Sequence, residues 1–472
     1  MPQPATLLRL LACALALAAL AERRGFAADG DLDPDFDGDG VYRYSDPASF
    51  SMTESVLAPD GAAVVSGALP VTGAPALHWR RITDSQASPL CTYLPPGASS
   101  VRPAGATFDS LGRLVLLAGV QFGPGTEHSL LVARFLYPAC ALDGELDGDG
   151  VALHAPELAG YDGRFAGGVA TAAWQVFPTI FTRRILIAYS ARSGGSPVPD
   201  TFLLRLRDDG TLDTGFGGGD GLLLLAAERV PLELTPALDG SFLLLAVTDD
   251  AAFDADASVL RFDRDGALDA GFGSAGEARL DLSPSGSSTD AFSAIAVAPD
   301  GRIALGGRTD LDAATDWQGA VALLEANGQP DPGFSADGWR TFTVAGAQTT
   351  RARSVVVQGD GKLLVAGSHT DPADDGDDEG LVARFSRSGA LDATFGSSGI
   401  RSLAFDHVPA GEDLATGVSV RPDGRIWVAG STAVDDGFGD QHYRPYVARL
   451  VNSYVFADGF EAPQAPGWLW VE

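Results

Sequence analysis

Cationic side chains are scarce in this chain. Lys and Arg number 32 against 62 Asp and Glu, and the formal net charge is −30. Phosphate binding needs a basic face, so nucleic acid is excluded as a partner. Histidine is thin as well: six residues, scattered, with no His-Glu-x-x-His pair to hold a zinc ion. No Gly-x-Ser-x-Gly elbow occurs, which removes serine hydrolases of that class. Helical periodicity is missing, and so is any apolar run long enough to span a bilayer. Cysteine falls to three residues.

What is there is a repeat of about 60 residues. Stretches 259–307, 321–367 and 381–430 use nearly the same words: a strand such as Leu381-Val382-Ala383-Arg384-Phe385, then Gly-x-Leu-Asp-x-x-Phe-Gly-x-x-Gly, then two apolar runs around Asp-Gly. Asp-Gly between apolar runs is a tight hairpin, because glycine takes the positive φ such a turn needs. These hairpins fall near Asp60, Gly112, Thr182, Asp239, Asp300, Asp360 and Asp423. The third has lost its Asp-Gly but keeps its apolar flanks at 173–177 and 185–189. The second signal is anchored by Phe36, Leu146, Phe216, Phe272, Phe334 and Phe395. Four short strands per unit result, and one such unit cannot bury both its faces alone.

The two chain ends interlock. The chain opens on an isolated second signal, Leu32-Asp33-Pro34-Asp35-Phe36, and one strand at 41–45. It closes on a unit of three strands, 417–421, 425–430 and 446–451. The fold expected is all-β: a seven-bladed β-propeller of four-stranded antiparallel blades, closed by the amino-terminal strand. The combination of the Arg384-type strand, Gly-x-Leu-Asp-x-x-Phe-Gly-x-x-Gly and Pro-Asp-Gly resembles the delta-60 repeat family of bacterial exported and surface proteins. The likeness spans roughly residues 31–451 and is strongest from Leu203 onward. It implies a β-propeller, usually without an assigned activity. Two places depart from it: an insertion at 78–94, and 177–184, where Pro-Asp-Gly-Arg is expected.

Residues 1–21 read as a targeting leader, with Arg9, an apolar core at 10–20 and Ala19-Leu20-Ala21 as a small-x-small cleavage site. Residues 22–30 read as linker, 31–451 as propeller and 452–472 as a tail. The mature chain is then secreted or displayed on the surface of a Gram-negative cell, with the periplasm as the alternative. It has no membrane span and is expected to be a monomer. Removing the leader leaves Cys91 and Cys140, an even pair that in an exported chain points to a disulfide, with two free thiols as the competing reading.

Three constellations could carry chemistry. Asp33, Asp35 and Asp37, and Asp143, Glu145, Asp147 and Asp149, alternate around a glycine like the first half of a calcium loop. Tyr44 and His154 stand where the full loop needs its twelfth-position Glu, and both stretches coincide with the ordinary repeat connection. No cofactor is therefore expected, with calcium as the alternative. Arg229, Asp290, Thr350 and Asp413 occupy the channel mouth, a mixed set for a metal-dependent hydrolase or lyase. A recurring arginine has a structural reading: Arg205, Arg261 and Arg384 precede Asp213, Asp269 and Asp392 by eight residues, Arg134 precedes Asp143 by nine, and ring closure assigns Asp33 to Arg449. Pairing neutralises a charge buried between blades, the Asp of the Asp-Gly hairpin being the competing partner. Acidic residues crowd the loops between second and third strands, near 249–256, 310–316, 371–379 and 435–440. The function expected is a non-enzymatic exported scaffold that binds a protein or glycan through this long-loop face, the solvated-loop reading standing beside it.

Overall fold

The computed structural model describes residues 28–452, apart from 45–50, 69–74, 124–128, 156–160, 178–179, 194–198, 226–228, 238, 250–254, 283–288, 312–316, 372–376, 406–410 and 436–440. The leader and nearly all of the tail lie outside the described residues, as do the middles of the acidic loops. Among the described residues there is no helix. Twenty-eight strands run from β1 (Val41–Arg43) to β28 (Gln441–Leu450). They make five four-stranded sheets and one of eight strands, in which a single parallel bridge, Asp256↔Asp290, joins two antiparallel groups.

Turn chemistry builds these groups. In the hairpins Gly301, Gly361 and Gly424 take φ of 86°, 77° and 85°. The preceding aspartate folds back onto the turn: Asp300, Asp360 and Asp423 Oδ1 accept the amides of Arg302, Lys362 and Arg425 at 3.1–3.2 Å. Where Asp-Gly is lost, the strands run on instead. β10 (Tyr161–Phe177) and β11 (Ile180–Ser193) form one long hairpin with three register shifts.

Middle strands are continuous apolar runs because both of their faces are covered. Every residue of β8 (Ser129–Phe135) is buried. Seven hydrophobic clusters fill the gaps between consecutive four-stranded groups. The last joins Phe36 and Trp427 to Val65 and Ile82, that is, the end of the chain to its beginning. β1 is the fourth strand of the sheet that holds β28, with Val41 opposite Ala448 and Arg43 opposite Tyr446. Residues before it continue the pairing: Gly30 N donates to Val451 O and Asp33 N to Arg449 O, both at 2.8 Å. Cys91 and Cys140 are bridged, Cα to Cα 5.5 Å, tying the first group to the second.

The innermost strands are β2 (Ser51–Leu57), β6 (Ser100–Phe108), β10, β14 (Arg229–Pro236), β18 (Asp290–Val297), β22 (Thr349–Val357) and β26 (Asp413–Val420). Each lies beside the next, and β26 lies beside β2. Six of them carry one bulge at the same place, between Met52/Glu54, Pro103/Gly105, Pro231/Glu233, Phe292/Ala294, Ala352/Ser354 and Ala415/Gly417. A bulge re-aims the side chains that follow it.

Candidate functional site: interblade ties and the ring interior

The recurring arginine lies on the third strand of its group and reaches two ways. Within its own group the guanidinium meets the carboxylate of the Leu-Asp turn. Arg134–Asp143 is 2.7 Å, Arg205–Asp213 2.9 Å, Arg384–Asp392 2.9 Å and Arg449–Asp33 2.9 Å. The other end crosses to the next group. Arg134 Nη1 donates to Asp208 O at 2.7 Å, Arg261 Nη1 to Ala326 O at 2.7 Å and Arg384 Nη1 to Asn452 Oδ1 at 2.9 Å. Arg205 Nη1 donates to Arg264 O in the same way. The guanidinium also lies over the repeat phenylalanine: Arg205 over Phe216 at 4.6 Å, Arg384 over Phe395 at 4.8 Å, Arg449 over Phe36 at 5.2 Å. The ring of Phe216 in turn packs under Gly266 of the next group. A Cβ at Gly266 would meet that ring at 2.5 Å, and its φ of 92° already demands glycine.

A second cation completes each tie, and the sequence reading missed it. It comes from the residue just after the Asp-Gly hairpin. Arg113 reaches Asp143 at 3.0 Å, Arg302 reaches Asp331 at 3.2 Å, Lys362 reaches Asp392 at 2.8 Å and Arg425 reaches Asp33 at 2.7 Å. The signal was available: Arg302, Lys362 and Arg425 each follow Asp-Gly directly. Burial alone would raise the Asp33 carboxyl, but the Asp35 amide, Arg425 and Arg449 together hold it below the usual range. Asp143 and Asp213 are held down by the same kind of environment.

The aspartates read as half a calcium loop are spread apart by this architecture. Asp33 and Asp143 turn inward to arginines, while Asp39 Oδ1 and Asp149 Oδ1 accept the amides of Val41 and Val151. Asp35, Asp37, Glu145 and Asp147 stand exposed. The three His, Cys, Asp or Glu side chains that do converge, among the described residues, are Asp256, Asp281 and Asp290, whose oxygens lie within 4.8 Å of one another. Asp256 there holds Arg279 at 2.6 Å.

The four channel-mouth residues work as clamps on the connection between groups, and three are buried. Asp290 Oδ2 accepts Leu282 N at 2.7 Å and its Oδ1 accepts the Thr309 hydroxyl at 2.6 Å. Asp413 Oδ2 accepts Phe405 N at 2.6 Å, and Thr350 Oγ1 accepts Val344 N at 3.3 Å. Arg229 is half-buried and pairs with Glu277 at 2.6 Å. The position that looked open to a ligand is occupied because the chain must turn there from an outer strand to the next inner one.

What faces the ring interior is different: Glu54 and Glu233, each just past its bulge. Both are half-buried. Glu233 Oε2 accepts Ile295 N at 3.0 Å, and Glu54 Oε1 accepts Ser55 N at 3.2 Å. Burial pushes Glu54 up to about 7. Burial and the charge of Glu54 push Glu233 up to about 8. Their strands, β2 and β14, are not neighbours, so the two carboxyls sense each other across the interior. The equivalent positions hold the small residues Gly105, Ala294, Ser354 and Gly417. No sequence pattern announced these two, because the bulge that aims them is invisible in composition or spacing.

The model of a family described as "Domain of unknown function (DUF5122) beta-propeller" matches residues 184–216, 298–334 and 358–395. The fold is a β-propeller. Each matched stretch runs from a hairpin to a repeat phenylalanine, so it contains one tie. No curated protein matches the chain in sequence. Among solved structures, a protein of unknown function from Dyadobacter fermentans has 12% identity and a TM-score of 0.42, covering 76% of this chain and 97% of its own. The Dos1 propeller has 10% identity and a TM-score of 0.44, covering 90% and 96%. A GH93 alpha-L-arabinofuranosidase of Fusarium graminearum has 11% identity and a TM-score of 0.38, covering 78% and 99%. Likenesses this distant do not inform what the propeller does. No helix among the described residues is long and apolar enough to cross a membrane.

Proposed function

We propose that the chain is an exported, seven-bladed propeller of the delta-60 repeat kind that serves as a non-enzymatic scaffold, presenting its long-loop face to a protein or glycan at the cell surface. The observation that supports this reading is where the repeated polar residues are used. The arginines, the Leu-Asp aspartates and the clamps at Asp290, Thr350 and Asp413 are all engaged in holding group to group. The repeat's own chemistry is then architectural, and variation is left to the loops. Export rests on the leader at 1–21, which is outside the described residues. The reading needs no metal: chelation with EDTA leaves the melting temperature unchanged, whereas a drop of several degrees restores the calcium loops. A direct test is binding of labelled protein to the cells that produce it. Saturable binding that is lost when Asp374, Asp375 and Asp377 become Asn, at unchanged melting temperature, supports the scaffold; binding that is absent or indifferent to these loops contradicts it.

A second reading, hydrolysis inside the ring, is favoured by one observation: Glu233 keeps its proton up to about 8, as a general acid must. Release of reducing ends from a panel of polysaccharides, abolished by Glu233→Gln, would select this reading over the scaffold.

A further inference from the structure

In a chain with a net charge of −30, three guanidinium groups crowd together. Arg308 ends the second strand β19 (Ile303–Thr309), which packs against β22, the strand of Arg351 and Arg353. Arg353 is the bulged residue of its strand, where the corresponding places hold Thr53, Ala104, Leu232, Ser293 and Thr416. Burial, and then the two neighbouring guanidiniums, lower the pKa of Arg308. Burial and Arg351 do the same to Arg353. Folding has therefore assembled like charges against their mutual repulsion.

Nearby carboxylates do not cancel this cluster. Arg351 Nη1 lies 3.5 Å from Asp378 Oδ2, but Asp378 also accepts the Thr370 hydroxyl at 2.6 Å. Asp310 accepts Thr289 N at 2.6 Å and Glu412 accepts the Tyr443 hydroxyl at 2.5 Å. Among the described residues no carboxylate lies within ion-pair distance of Arg308 or Arg353. The Nε–H groups of Arg351 and Arg353 are covered and have no hydrogen-bond partner among them. Buried donors of this kind call for an acceptor. Arg308 is stacked on Trp317 at 4.1 Å, which fixes the plane of its fork and leaves the edge N–H groups directed away from the ring.

We propose that Arg308, Arg351 and Arg353 form an oxyanion-binding site at the long-loop end of the ring, taking a sulfate, phosphate or carboxylate group of a small ligand. This does not depend on the scaffold reading, because an anion site serves a scaffold and an enzyme equally.

The test is isothermal titration of the full chain with sodium sulfate, sodium phosphate and sodium acetate, at ionic strength held constant with chloride. At least one of the three binds saturably at one site per chain; which one ranks tetrahedral against planar anions. Arg353→Thr, which installs the residue found at this place in β2 and β26, weakens that binding by about tenfold or more, the loss expected for one charge-assisted contact. Its melting temperature is no lower than that of the parent, since one like charge has gone. Arg353→Lys, which keeps the charge but not the fork, also binds more weakly. Absence of saturable heat with all three anions overturns the proposal. So does wild-type affinity in Arg353→Thr.

Discussion

The tie built on Arg384 and the tie built on Arg261 start from the same repeat and end differently. Arg384 and Asp392 are 2.9 Å apart with side chains 2% and 11% exposed, whereas Arg261 and Asp269 are 3.4 Å apart at 17% and 41%. The cause lies in the hairpin. Lys362 follows Asp360-Gly361 and pins Asp392 at 2.8 Å. Its counterpart after Asp239-Gly240 is Ser241, which has no charge to offer. Arg261 therefore turns to Asp239 at 2.5 Å and to Ser241 Oγ at 3.2 Å, leaving Asp269 to solvent. One residue outside the pair decides which of two carboxylates the arginine takes.

The largest expected effect is at the buried tie. Arg384→Leu strands Asp392 and releases Asp29 and Asn452, so chemical unfolding should show a loss of about 3–5 kcal/mol. Next comes the disulfide: Cys91→Ser with Cys140→Ser should cost about 2–4 kcal/mol, read the same way. Arg261→Leu should cost only about 1 kcal/mol, because its partners are half-exposed and screened. A loss equal to that of Arg384→Leu would end the contrast between the two ties. Ser241→Lys sharpens it. Lysine there should draw Asp269 inward and shorten the Arg261–Asp269 separation in a crystal structure, with a gain of at most about 1 kcal/mol.

The smallest effect concerns the ring interior and carries a sign in pH. Glu54 and Glu233 hold protons up to about 7 and about 8, above the carboxylate range they have when unfolded. Their contribution to stability is complete below about pH 4.5 and is lost as pH rises through 7 to 8. Glu233→Gln should match the parent in melting temperature at pH 5 and exceed it at pH 8.5. An advantage that shrinks as pH rises would contradict the placement of these carboxyls.

Much of this architecture could be read from spacing. Asp-Gly between apolar runs marks the hairpins, and the eight residues from Arg205 to Asp213 span a turn that in the structure leaves 2.9 Å between them. The strand at 41–43 lies against β28 because a unit with three strands leaves an edge that a lone strand can fill. Three things were not legible. The second cation at Lys362 and Arg425 reaches a carboxylate in a different loop, so local spacing does not expose it. Insertion of residues 83–90 replaces the usual aspartate, and Arg81 there finds Asp60 at 2.7 Å and the Tyr137 hydroxyl at 2.8 Å. Glu54, Glu233 and Arg353 are aimed by bulges, which arise from how strands pair and leave no mark in a single sequence.

The central claim is that the first residues of the chain complete the sheet made by the last. Asp33 and Arg449, 2.9 Å apart and both almost fully buried, stand at those two ends. A double-mutant cycle of Asp33→Asn and Arg449→Gln measures their contact directly. The account predicts a coupling of about 1 kcal/mol or more, as for residues in one buried network. Additive effects, within about 0.3–0.5 kcal/mol, would mean that the two ends of the chain do not meet.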